Sequence, residues 1–193
     1  MVRLKKKRLT QTDWLTLAME VLSKEGEAKL TIDKLCLRLG VTKGSFYAHF
    51  EDRAEFVRQF VAHWAEYYTQ TVIAEINEMG DASAETRLLV LMQLLQRKRF
   101  ARYDIVIRSW AAHDPVVAEG VEHVDRLRFE YLRQIFHDMG FRGAELDLRT
   151  RLFVVYYSSE EGMRLPRSGL KAEREIKLRH AFFTRRDGRA KPP

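Results

Sequence analysis

The sequence predicts an all-α protein of about nine helices, and three observations carry that expectation. Apolar residues recur at three- and four-residue spacing through nearly all of the chain. Helix start and stop signals punctuate the pattern about one helix length apart. No segment alternates convincingly with period two, and four prolines and ten glycines leave little room for turn-dense β architecture.

The first helix opens at Thr10-x-x-Asp13, the spacing of a capping box. Its apolar face carries Trp14, Leu15, Ala18, Met19, Val21 and Leu22, and Gly26 sits where a helix end wants positive φ. Thr31 then N-caps a short helix whose Ile32, Leu35, Cys36 and Leu39 face one way. Gly40 breaks that helix in the tight turn that sets two helices nearly perpendicular. Thr42 caps the next helix with Ser45 at N3, and Val41 at N′ with Phe46 at N4 fit a hydrophobic staple. Phe46 and Phe50, four apart, bury this helix against its neighbours.

Residues 53–78 read as one long helix ended by Met79-Gly80. Residues 84–97 place Leu88, Leu91, Met92 and Leu95 on one face, and 102–112 centre on Ile105, Ile107 and Trp110. Asp114-Pro115 supplies an N-cap acceptor followed by proline at N1, where its missing N–H costs nothing. The helix behind it runs through Val117, Val121, Val124, Leu127, Leu132, Ile135 and Phe136 to Gly140. Residues 144–161 are helical with Leu148, Leu152, Phe153, Val155 and Tyr156 on one side, and a last amphipathic helix near 170–184 carries Ile176, Leu178 and Phe182.

Composition excludes several classes. No stretch approaches the ~20 apolar residues of a membrane span, and the basic N-terminus lacks the apolar run of a signal peptide. Cys36 is the only cysteine, so a disulfide framework and a thiolate metal cluster are out, and the cytoplasm is the expected compartment. On an apolar face it reads as a packed small residue. The six histidines (49, 63, 113, 123, 137 and 180) do not form a metal-ligand spacing. Glu160 and Glu161, as helix neighbours, point to different faces. No catalytic residue, metal site or cofactor is therefore expected. Net charge is +7 and unevenly spread: residues 1–50 carry ten Lys/Arg against five Asp/Glu, and residues 164–193 carry ten against three. Between them lies an acidic middle, so only parts of the molecule suit a polyanion. The basic tail reads as a solvated end.

The informative segment is residues 30–50. Opposite Phe46 and Phe50, the third helix shows Lys43, Gly44, Ser45, Tyr47 and His49, which are short or hydrogen-bonding groups with one cation. Small residues at a helix start let the backbone approach a major groove. Hydroxyls, imidazole and the Lys head reach phosphates or base edges, and free N–H groups at both helix starts attract phosphate.

The ordered run Thr31, Ile32, Leu35, Cys36, Gly40, Val41, Thr42, Gly44, Ser45, Phe46, Tyr47, His49 and Phe50, followed by Glu51-Asp52-Arg53, resembles the N-terminal signature of TetR-type regulators. The likeness covers about residues 9–57 without a gap, with Cys36, Thr42 and Arg53 where the family usually has alanine, serine and lysine. Weaker likeness lies in Trp110-x-x-x-Asp114-Pro115, Met139-Gly140-Phe141 and the Ala144-Glu145 helix ending near Gly162. The resemblance implies an N-terminal three-helix DNA-binding domain over 1–52 and a helical effector-binding and dimerisation domain over 53–193. It implies a homodimeric, non-enzymatic regulator of transcription, a repressor, binding a double-stranded DNA operator and an unidentified small-molecule effector.

Residue by residue, it places Thr42, Lys43, Gly44 and Ser45 in the groove and Tyr47, His49 and Thr31 on phosphates. Arg53 would pair with phosphate or cap the long helix, and the arm Lys5–Arg8 is offered to flanking phosphates or to the minor groove. The expected effector contacts are Trp64, Tyr68, Met92, Phe100, Tyr103 and Trp110, within helices 53–112. The expected dimer surface is Leu148, Leu152, Phe153, Tyr156, Ile176 and Phe182. Two readings from other classes compete: a small helical enzyme using His and Glu, and a helical adaptor protein with no salt-dependent affinity for DNA.

Overall fold

A computed structural model describes residues 9–163 and 169–186. The arm Lys5–Arg8 and the end of the basic tail lie outside them. Among the described residues there is no strand, and the α-helical segments are α1 (Gln11–Glu25), α2 (Ile32–Leu39), α3 (Lys43–Tyr47), α4 (Arg53–Ala65), α5 (Thr71–Asn77), α6 (Ala84–Lys98), α7 (Ala101–Ala111), α8 (Pro115–Asp138), α9 (Gly143–Ser159) and α10 (Ala172–Thr184). A π-helical turn, Glu66–Gln70, joins α4 to α5, so the two are one continuous helix and the count of nine holds.

Local chemistry sets the ends. Thr10 and Asp13 close both bonds of the capping box on α1. Gly40 takes the left-handed conformation (φ 65°, ψ 38°), and the N–H groups of Gly40 and Val41 return to the carbonyls of Leu37 and Cys36. Asp114 Oδ1 accepts from the N–H groups of Val116 and Val117 at 3.0 and 3.2 Å, opening α8 as its sequence predicts. Phe141 donates its N–H to the carbonyl of Phe136, and the two rings meet at 6.1 Å, so the end of α8 is both hydrogen-bonded and sealed by apolar contact.

The described residues within 1–65 and 106–121 form one compact unit, and those within 66–105 and 122–193 form a second. The expected boundary between 52 and 53 is not where the structure divides. Aromatic packing explains the difference: Phe46, Phe50 and Phe56 sit within 5.0–5.5 Å of one another, Phe56 continues to Phe60, and Phe60 meets Trp110 at 5.8 Å. The first part of the long helix therefore supplies the floor on which α3 rests, and it belongs with the head.

The second unit has its own core, centred on Phe136, Phe153 and Phe183, whose rings lie 5.1–6.2 Å apart. Here α9 departs from the one-sided pattern expected of it. Phe153, 1% exposed, points inward with Leu146, Thr150 and Ser158, whereas Leu148, Leu152 and Val155 face out.

Candidate nucleic-acid interface and ligand cavity

In the first unit α2 and α3 make a helix-turn-helix. Phe46 is fully buried edge-on against Trp14 at 5.5 Å, which fixes the rotation of α3. That rotation leaves Thr42, Lys43, Gly44 and Tyr47 exposed and Ser45 and His49 partly so. Thr31 caps α2 by accepting from the N–H of Lys34, whereas Thr42, at the N-cap of α3, makes no side-chain cap bond and keeps its hydroxyl at the surface. The carbonyl of His49 accepts from Gln11 Nε2 at 2.8 Å, tying the end of the reading segment to α1.

Arg53 does not cap the long helix. Its Nη1 donates to the carbonyl of Leu30 at 2.9 Å, and α4 is capped instead by Asp52, whose Oδ1 accepts from the N–H of Glu55 at 2.7 Å. Glu55 in turn accepts from the N–H of Glu51. An acidic pair is the better cap because the orphan groups at a helix start are donors.

Sequence reasoning passed over Asp33 and Leu37. Asp33 Oδ1 holds Lys43 Nζ at 2.8 Å across the turn, and this contact raises the Lys43 pKa. Leu37, one turn further along α2, is 81% exposed. Its signal was present: it falls off the apolar face of Ile32, Leu35, Cys36 and Leu39. Cys36 is buried, and burial pushes its thiol up, as suits a packed residue.

The second unit holds a cavity of about 930 Å³. Of the expected effector residues, Tyr68 and Phe100 line it. Tyr103 stands behind, packed on Tyr68 at 4.8 Å, and Met92 is buried without reaching the cavity. Trp64 and Trp110 are core residues of the first unit and do not line it. Besides residues within 53–112, the cavity draws on helices beyond them: Arg128, Tyr131 and Leu132 from α8, Tyr157 and Ser158 from α9, and Arg179 from α10.

Its polar centre was invisible in the sequence. Thr69, Asp104 and Ser158 are three of the four buried polar or charged residues among those described, and all three meet Arg128. The guanidinium holds both oxygens of Asp104, with Nη2 to Oδ1 at 3.2 Å, and donates from Nε to Thr69 at 3.0 Å and from Nη1 to Ser158 at 3.5 Å. The π turn carries Tyr68 and Thr69 into this wall, and Thr71 Oγ1 donates to the carbonyl of Glu66 at 3.1 Å within the widened turn.

The expected dimer residues divide. Leu148, Leu152 and Phe182 are exposed, the last by 67%, and Tyr156 is half-buried. Phe153 and Ile176 are core residues of their own unit and offer no surface. Leu178 and Val155 join the exposed set, so five of the ten exposed large apolar side chains among the described residues lie on α9 and α10.

Taken together these features define a helix-turn-helix protein with a cavity-bearing helical second unit. Residues 15–60 match the family model of bacterial regulatory proteins, tetR family. The N-terminal segment is thus similar to that family's, and the fold of the whole chain agrees with that of a TetR regulator. A TetR transcriptional regulator from Legionella pneumophila superposes with a TM-score of 0.72 at 10% identity, covering 94% of this chain and 97% of that one. A putative transcriptional regulator from Saccharomonospora viridis in complex with choline gives 0.69 at 15% identity, covering 90% and 94%. The regulator AibR in complex with isovaleryl coenzyme A and operator DNA gives 0.68 at 13% identity, covering 89% and 96%. At these identities the likeness is one of fold. Comparison with curated proteins returns no significant match.

Proposed function

We propose that the chain is a sequence-specific DNA-binding regulator of transcription, a repressor, which acts in the cytoplasm as a homodimer and is modulated by a small molecule in the second unit's cavity. The observation that carries the reading is the division of α3: Phe46 locked inward, with Lys43, Gly44 and Tyr47 presented outward. A groove-reading helix needs that separation of anchor from contact. The exposed Leu148, Leu152, Val155, Leu178 and Phe182 support a partner-facing surface, because soluble monomers rarely expose such a concentration. Two helices from each copy would make a four-helix interface and set two reading heads in fixed relation. An effector in the cavity would favour one of two states of differing DNA affinity. No helix among the described residues is long and apolar enough to cross a membrane, and the family likeness favours a regulator over an enzyme.

The test is a salt titration of binding to duplexes selected from a random pool, read by fluorescence anisotropy. Lys43→Ala and Tyr47→Phe should both weaken binding, and Lys43→Ala should reduce the salt slope by about 1. If both variants bind like the parent at every salt concentration, α3 is not the reading face.

A further inference from the structure

We propose that a second copy of the chain completes the cavity of the second unit. The cavity's mouth opens on the α9–α10 face, and a partner seated there roofs it, so that occupancy and dimerisation strengthen each other. The proposal rests on the homodimer reading and adds that the ligand site is not whole in one chain.

The mouth is marked by side chains that line the cavity and are also exposed. Leu152, Val155, Met163 and Phe182 all line it, and each is between 47% and 67% exposed. Tyr68, Phe100, Leu132 and Phe153, which line it too, are buried. The cavity is therefore walled by core and open along an apolar edge. Small-molecule sites bury about 70–90% of their ligand. A molecule reaching this edge in a single chain would keep its outer flank in water, beside apolar side chains that are themselves uncovered.

Three of those four residues belong to the exposed face of α9 and α10. On α9, Leu148, Leu152 and Val155 recur at i, i+4 and i+7, and on α10 Leu178 and Phe182 are four apart. Arg149 donates to the carbonyl of Phe183 at 3.0 Å, and Arg179 donates to the Tyr156 hydroxyl at 3.1 Å, so the two helices run side by side and antiparallel. Each stripe reaches the mouth, through Leu152 and Val155 from one helix and Phe182 from the other.

Charge and area fit this face to its own copy. The exposed charges on the two helices include Asp147 and Glu173 beside Arg151 and Lys177. A rim of one sign would repel an identical face, whereas a mixed rim can pair with it. A standard interface buries about 800 Å² per partner, and about 65% of that is apolar in homodimers. Five large apolar side chains, at on the order of 100 Å² each, supply that share. In a two-fold pair each copy meets the other with the same patch, so each mouth is covered by apolar side chains.

The probe is N-phenyl-1-naphthylamine, a neutral fluorophore that brightens out of water. It is titrated into the full chain over a dilution series that sedimentation velocity follows from dimer to monomer. It is also titrated into Leu148→Glu with Leu178→Glu, two exposed positions that do not line the cavity. The dimer should bind the probe about tenfold tighter than the diluted parent or the variant, and saturating probe should lower the dimer dissociation constant about 100-fold, tenfold for each of two sites. Unspecific binding works against this result, because the monomer exposes more apolar surface. Equal affinity in dimer and monomer, with a dimer constant that the probe does not move, overturns the proposal, as does a dimer that binds no probe saturably. A parent that stays monomeric at every concentration overturns the homodimer reading and the proposal with it.

Discussion

The buried pair Arg128–Asp104 gives the sharpest stability prediction. Asp104 has a side-chain exposure of 3% and Arg128 of 16%, so neither charge can be handed back to water by a small rotamer change. In Asp104→Leu, Arg128 keeps Thr69 at 3.0 Å and Ser158 at 3.5 Å, both neutral hydroxyls, and loses the Asp104 carboxylate that both its Nη atoms meet. Removing one partner of such a pair costs about 3–5 kcal/mol. For a chain of this length 1 kcal/mol moves the midpoint by roughly 2–4 °C, so the melt should fall by about 6–20 °C. Removing both charges together, in Asp104→Leu with Arg128→Leu, should cost less than the single change, because no charge is left stranded. The assay is thermal melting followed at two signals. Far-UV circular dichroism sees all the helices, while Trp14, Trp64 and Trp110 all lie in the first unit, so their fluorescence reports that unit alone. The dichroism transition should show the loss. A double variant that costs the sum of the two single changes would refute the reasoning, since the ion pair would then behave as two independent packing contacts.

Asp33→Asn should raise affinity for non-specific duplex by about threefold and steepen its salt dependence, because Lys43 no longer spends its charge on Asp33; electrophoretic mobility at low and moderate salt reads this. Leu152→Glu should shift the sedimentation profile from dimer toward monomer while leaving the helical content of dilute samples unchanged, because this side chain is exposed within its own chain. Alkaline pH should destabilise the fold. Burial raises the pKa values of Tyr68, Tyr131 and Tyr157, and burial with a bond to Glu160 pushes Tyr156 up to about 12. A raised folded-state value gives stability that is complete below the unfolded value near ~10 and is lost as pH climbs through the folded one. Absorbance at 295 nm should therefore show late-titrating tyrosines, and the urea midpoint should fall above that pH.

Features that depend on neighbours in sequence were legible. The Thr10–Asp13 box, the left-handed Gly40 and the Asp114 cap each join atoms a few residues apart, so spacing alone specifies them. Features assembled from distant segments were not. Asp104 and Arg128 are 24 residues apart, and Arg128 and Thr69 are 59 apart; nothing in either local pattern announces the other. Periodicity also fails where a helix is apolar all round. Phe153 and Leu152 are adjacent letters in α9, yet one fills the core and the other faces out. Gly120 reads as an ordinary helix residue, but a Cβ there would overlap Cγ1 of Val61, so close approach of α8 and α4 within the first unit requires glycine at that point. The π turn at Glu66–Gln70 leaves no mark in the sequence for a related reason: the apolar rhythm continues on either side of it.

That turn bears on how one chain can combine two tasks. The polypeptide passes from one compact unit to the other after residues 65, 105 and 121, and each passage falls within helical backbone: at the junction of α4 and the π turn, inside α7 and inside α8. The turn at the first crossing already departs from α geometry, and its Thr69 hydroxyl accepts from Arg128 at the polar centre of the cavity.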